Sequence, residues 1–142
     1  MTALLDTNVI VRHLTQEPAD QGRAATRFLA DAASLLLTDV VAAETVYVLQ
    51  SVYKTPRPVI AAALRALLSM KSVSSERGQV VRRGLDLYEA ERMDFTDAYL
   101  VAAAEAGGIA TIVSFDRGIN KGLRQASPVR RFDPKSSSEV IQ

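Results

Sequence analysis

Four carboxylates carry the chemistry that this sequence offers. Asp6 closes the apolar run Thr2-Ala3-Leu4-Leu5 and is followed by the polar pair Thr7-Asn8. Glu44 stands in an apolar stretch, with Val40, Val41, Tyr47 and Val48 one helical turn away in either direction. Asp97 follows Asp94 by three residues at the head of an alanine-rich segment, and Asp116 comes after the β-branched run Ile109 to Val113 and the link Ser114-Phe115. Gathered to about 5 Å, each ionised pair of these acids repels by roughly 3 kcal/mol at an effective dielectric near 20. Six such pairs come to about 20 kcal/mol, more than the roughly 5–15 kcal/mol by which a domain is stable. Protonation or divalent cations must offset that repulsion. Hard oxygen donors suit Mg²⁺ or Mn²⁺, and such an ion activates water and stabilises in-line displacement at phosphorus. Asp6, Glu44, Asp97 and Asp116 are therefore the expected metal ligands and catalytic residues of a phosphodiester hydrolase.

Structural roles compete for the same residues. A carboxylate on the buried stripe of a helix is costly unless paired, so a salt bridge to an arginine explains Glu44 as well as a metal does. Asp94 and Asp97 have capping-box spacing, and a first-turn acid suits the helix dipole. The apolar residues Leu100 and Val101, one turn beyond, put Asp97 at the end of a buried face, which leaves Asp94 as the cap and Asp97 as the functional acid. The single histidine, His13, reads as a surface or partly buried side chain rather than a ligand. The stretch Arg117-Gly118-Ile119-Asn120-Lys121-Gly122 reads as a loop whose two cations suit a phosphate backbone.

The elements that must position these acids alternate between strand and helix. Thr2 to Leu5 fits an interior strand of a parallel sheet, buried on both faces, which puts Asp6 at the carboxyl end where open α/β sheets bind ligands. Thr7 or Asn8 caps a short helix through Leu14, and a helix over 18–33 carries the stripe Ala24, Ala25, Phe28, Leu29 and Ala32. A strand over 34–38 leads to a helix over 40–53, capped by Asp39 or Thr38. Pro56 and Pro58 open a further helix over 59–70, and the two form a hairpin suited to core packing or to a partner. A brief extended segment, an amphipathic helix over 76–92, the helix after Asp94 that ends at Gly107-Gly108, and strands over 109–113 and 129–132 complete the chain. The alternation specifies a parallel α/β sheet. A single domain over 1–133 and a frayed tail over 134–142 are expected.

Composition narrows the function. The 142 residues are 48% hydrophobic and 23% charged, ordinary for one globular domain. A net charge of +1 gives no overall steering toward nucleic acid, so contacts with RNA must be local. The absence of cysteine excludes disulfides, thiolate ligands and a cysteine nucleophile, and with only one histidine argues against zinc. An acid as early as Asp6 does not suit a signal peptide, and no apolar run approaches the roughly 20 residues of a membrane span. A cytoplasmic protein without membrane contact is expected.

Leu5-Asp6-Thr7-Asn8, Ala42-Ala43-Glu44-Thr45, Asp94-Phe95-Thr96-Asp97-Ala98 and Ser114-Phe115-Asp116-Arg117, in this order over about 3–132, carry a resemblance. The chain resembles PIN-domain ribonucleases, specifically the toxin components of VapBC-type toxin–antitoxin modules. The resemblance implies a PIN-like fold with a central five-stranded parallel sheet flanked by helices, and the acids at the carboxyl edge of the strands. It implies metal-site roles for Asp6, Glu44, Asp97 and Asp116, with Asn8, Ser114 and Thr7 in support, and an Mg²⁺- or Mn²⁺-dependent endoribonuclease that inhibits translation. The implied partners are RNA, a cognate antitoxin and a second copy of the chain. A catalytically silent PIN-like binding domain is one alternative. A haloacid-dehalogenase-type phosphohydrolase is another, but it needs a second acid where Asn8 stands and leaves Glu44 unexplained.

Overall fold

The computed structural model describes residues 1–123 and 127–136. The chain divides into two compact units, Met1–Val81 and Arg82–Gln142. Its elements are β1 (Ala3–Leu4), α1 (Thr7–Thr15), α2 (Ala19–Asp31), β2 (Leu35–Leu37), α3 (Asp39–Ser51), α4 (Arg57–Leu68) and β3 (Val73–Ser75). They continue with α5 (Gly78–Ala90), α6 (Phe95–Gly107), β4 (Thr111–Val113), a 3-10 helix (Arg117–Leu123) and β5 (Arg130–Phe132).

In the first unit the ladder runs β1-β2-β3, all parallel, with Ala3 opposite Leu35 and Leu35 opposite Val73. The middle strand β2 buries Leu35 and Leu37. Ile10, Leu29, Val46, Leu49, Ile60 and Leu64 join them in the core, each worth about 1.5–3 kcal/mol of apolar burial. α1 packs on α2 and α3, and α4 packs on α3 and β3. The turn from α1 to α2 is tight because Gln16 caps α1 in the left-handed region (φ 58). Its Nε2 donates to the carbonyl of His13 at 2.7 Å and to Thr26 Oγ1 at 2.9 Å. Gly22 is required beneath that turn, since a Cβ there would stand 2.6 Å from Gln16 Cα and 3.0 Å from the Arg12 carbonyl oxygen.

The second unit holds the parallel pair β4-β5, with Thr111 opposite Arg130 and Val113 opposite Phe132. Leu85, Tyr88, Met93, Phe95, Val101 and Ile119 are buried. Tyr88 meets Phe95 edge-on, with ring centroids 6.2 Å apart, a favoured aromatic geometry. α6 ends at Gly108 in the left-handed conformation (φ 65), as the Gly107-Gly108 pair predicts.

The α/β class and all five strands are present, while several expectations need correction. The described ladders are a three-stranded parallel sheet in the first unit and a two-stranded parallel sheet in the second. β1 is not buried on both faces: Ala3 and Leu4 are exposed and only Leu5 is covered, because β1 has a neighbour on one side of its ladder. The buried side of α3 is Ala42, Thr45, Val46 and Leu49, so Glu44 lies on the exposed side with Val40 and Tyr47. α3 is apolar nearly all round, and its periodicity does not say which side faces in. The expected loop over 117–122 is a 3-10 helix. Of the expected tail, Pro134–Ser136 form a turn in which Ser136 N–H donates to the Asp133 carbonyl at 3.0 Å, and 137–142 lie outside the described residues. Among the described residues no helix is long and apolar enough to cross a membrane.

Replacing Gly22 with alanine forces two backbone segments apart and is expected to cost about 1–3 kcal/mol, the usual range for overpacking. A urea titration of Gly22→Ala checks this, as a lowered midpoint at unchanged slope.

Candidate active site

The helix-capping rules place the first acid. Asp6, in extended conformation (φ −92), is the N-cap of α1, and its Oδ1 accepts the Thr7 N–H at 2.8 Å. The cap is thus Asp6 itself, not Thr7 or Asn8 as expected from their residue types. The carboxylate sits at the positive end of the helix dipole, just past the end of β1.

Packing of α1 on α3 brings Glu44 to the same cavity, a hollow of about 280 Å³ that Thr7, Asn8, Arg12 and Tyr53 also line. Glu44 is exposed and makes no ion pair with an arginine among the described residues, so the buried salt-bridge reading fails together with the buried position. Arg12 donates from Nε to Gln21 Oε1 at 2.9 Å and from Nη1 to the Tyr53 hydroxyl at 3.4 Å. Thr7 is buried, and its Oγ1 has no hydrogen-bond partner among the described residues. A second hollow of about 440 Å³ lies between α1 and α2, lined by Val9, Ala24, Phe28 and other residues, and holds no carboxylate.

The second unit pairs the other two acids. Asp97, in the first turn of α6, is half-buried and hydrogen-bonded to Asp116, which follows β4. Burial pushes the Asp97 carboxyl up to about 6, reinforced by the hydrogen bond to Asp116 and by the negative charges of Asp116 and Asp94. Asp116 is held below the usual carboxylate range by the Gly118 N–H at 2.8 Å and by the hydrogen bond from Asp97, with Lys121 and Arg131 adding to the effect against a small opposing burial cost. Below about pH 6 the pair therefore carries one proton, on Asp97, and one negative charge, on Asp116. Ser114 Oγ accepts the Asp116 N–H at 2.9 Å, and Arg131 donates to the Ser114 carbonyl at 2.9 Å. A Cβ at Gly118 would stand 3.0 Å from Asp116 Oδ1 and 3.6 Å from Asp97 Oδ2, so the missing side chain keeps the carboxylates accessible. Asp94 occupies the cap position of α6, but its carboxylate makes no capping hydrogen bond.

The four acids thus stand as two pairs, Asp6 with Glu44 and Asp97 with Asp116. Among the described residues no three histidines or acids are gathered closely enough to hold a metal ion. The donors present still fit a hard divalent cation. They are all oxygen, a shared proton marks where positive charge is wanted, and the Thr7 hydroxyl has unused hydrogen-bonding capacity beside Asp6.

The sequence profile of the PIN domain family matches residues 3–122. The chain belongs to the PIN domain family. PIN domains have a nuclease-type α/β fold and are generally metal-dependent hydrolases of nucleic acid, often ribonucleases. A search of curated proteins finds no match. The matched span of this PIN domain contains all four acids together with Thr7, Asn8 and Ser114, and it ends before β5. Arg12, Tyr53 and Gly118 escape a sequence reading of the PIN site. Arg12 has a detectable signal, four residues after Asn8 on one helix face, and Gly118 lies two residues past an acid. Tyr53 has none, because it lies beyond the end of α3.

The raised value of Asp97 means that the folded PIN domain binds this proton more tightly than the unfolded chain does. Its stabilising contribution is complete below the usual value of 3.8 and is lost as pH rises through about 6. Asp116 works in the opposite sense, contributing stability that is lost as pH falls below the usual carboxylate range. In chelator, urea midpoints of the wild type are therefore expected to fall relative to Asp97→Asn between pH 3.8 and about 6. A difference that stays flat across that window would remove the shared proton from the account.

Proposed function

We propose that this chain is an Mg²⁺- or Mn²⁺-dependent endoribonuclease, the toxin of a type II toxin–antitoxin pair of the VapBC kind, which inhibits translation in the cytoplasm by cutting RNA. The observation that carries the reading is the contact between the Asp97 and Asp116 carboxyls in a chain of the PIN domain family. Asp6, Glu44, Asp97 and Asp116 hold the cation and are the catalytic residues, and Asn8, Ser114 and Thr7 support them.

A bound divalent cation supplies activated water and charge stabilisation for in-line displacement at phosphorus. The protein's own groups do the rest. The Gly118 N–H and Ser114 Oγ fix the Asp116 carboxylate and backbone, so that the acid pays no reorganisation when the charge arrives. Above about pH 6 Asp97 is ionised and would serve as a second anionic ligand beside Asp116. Arg12 puts a cation in the cavity of Asp6 and Glu44, where a phosphodiester would otherwise meet two acids alone.

The proposed partners are RNA, a cognate antitoxin and a second copy of the chain. An apolar hollow beside the half-exposed Phe28 supports an antitoxin segment. The exposed apolar residues Val40, Tyr47 and Val59 support a homodimer. A catalytically silent PIN-like domain is the second reading.

Purified protein incubated with total RNA is expected to give discrete cleavage in Mg²⁺ or Mn²⁺ and none in chelator. Asp6→Ala and Asp97→Ala each lose more than about 100-fold, whereas Gly118→Ala and Ser114→Ala, which disturb only the setting of Asp116, lose about 10–100-fold. Cleavage by Asp6→Ala at the wild-type rate would identify a contaminant. No cleavage by any protein despite metal binding would favour the silent domain. Sedimentation is expected to give a dimer, and a monomer at micromolar concentration counts against that partner.

A further inference from the structure

Phe115 is unused by the reading above, yet it sits between two residues of the site. Its ring is 62% exposed. Three aromatic residues are strongly exposed among the described residues, Phe28, Tyr47 and Phe115, and Phe115 alone adjoins the Asp97–Asp116 pair in sequence. The backbone on either side of it is fixed. Ser114 N–H donates to the Phe132 carbonyl at 3.0 Å, and Asp116 is held by Ser114 Oγ at 2.9 Å and by Gly118 N–H at 2.8 Å. An apolar ring is thus held facing solvent by a rigid support.

One cation stands at this ring and two act on the residue beside it. Lys135 Nζ stands over its face, 5.6 Å from the centroid, and the Lys135 N–H is anchored on Asp133 Oδ1 at 2.8 Å. Lys121 and Arg131 act on the neighbouring Asp116. An exposed aromatic face among cations is the combination that binds single-stranded nucleic acid, the ring stacking on a base and the cations following the phosphates. A base inside a duplex is already stacked on both sides and cannot use the ring without being unstacked.

We propose that Phe115 is a stacking platform for an unpaired base next to the scissile phosphate, with Lys135 contacting a neighbouring backbone phosphate. The nature of the ligand rests on the ribonuclease reading. The contact selects RNA segments with unpaired nucleotides at the site, and it orients the chain before cleavage.

The chain contains no tryptophan, so Phe115→Trp introduces a unique fluorophore at the platform, and Ile109→Trp provides an exposed control ahead of β4. Both full-length variants are titrated in chelator at low salt with a single-stranded RNA 12-mer and with the same strand in a duplex. Saturable quenching of Phe115→Trp by the single strand is expected, with little quenching by the duplex and little at Ile109→Trp. Phe115→Leu, which keeps an apolar residue there, is expected to bind the single strand about tenfold more weakly, while Phe115→Tyr stays within about twofold of wild type. Lys135→Gln should flatten the salt dependence of binding by about one counterion. Equal quenching by duplex, equal quenching at Ile109→Trp, no binding of the single strand, or wild-type affinity in Phe115→Leu would each overturn the proposal. Wild-type cleavage assays separate the two readings. RNA cleavage that Phe115→Leu leaves untouched, without quenching, sinks the platform and keeps the nuclease. Quenching without metal-dependent cleavage keeps the platform and sinks the nuclease.

Discussion

Asp97 and Asp116 stand in hydrogen-bonding contact, where two full negative charges would repel by several kcal/mol in a protein environment. The structure meets that repulsion asymmetrically. Asp97, at the mouth of an apolar helix, keeps the proton because burial disfavours its charge, and Asp116 keeps the charge because a backbone N–H and nearby cations favour it. Much of the second unit follows from this pair. Gly118 must lack a side chain, the 3-10 helix must turn back directly after Asp116 to deliver its N–H, and Arg131 must tie the Ser114 carbonyl to Asn120. A proton shared between two acids is also a place prepared for a more highly charged cation, which is why it carries the nuclease reading.

The first unit solves a different problem with a similar economy. Asp6 caps α1 and lines the cavity that Glu44 also lines, so the hydrogen bond that starts the helix also orients the acid there. The close approach at Gly22 holds α1 against α2, and α1 in turn presents Asp6, Asn8 and Arg12 along one edge of the cavity that Glu44 completes from α3.

Glu44 lines the cavity of Asp6 for a reason other than the expected one. The expectation rested on a charge within a buried stripe, whereas the residue is exposed beside Val40 and Tyr47. What distinguishes it is the reverse: a charged residue on an exposed apolar side, at the rim of a cavity that contains another acid. An apolar side left open around a site is the expected signature of a surface that meets a partner.

The sequence by itself determined the order of strands and helices, the α/β class and the PIN resemblance. These depend on local residue patterns: apolar runs that end in Asp, alanine-rich helices, and the glycine pair after α6. Element ends shifted by one or two residues because caps such as Asp6 and Thr38 are chosen by backbone geometry among several eligible side chains. Tertiary structure decided which side of α3 is covered, and that Asp6 shares a cavity with Glu44 while Asp97 meets Asp116. It also decided that Asp97 rather than Asp116 is pushed up, that Arg12 and Tyr53 line the cavity of Asp6, and that Gly118 lies against Asp116. Each of these depends on which residues far apart in the chain become neighbours, and on the burial and charge that such neighbours impose. No local pattern encodes that information.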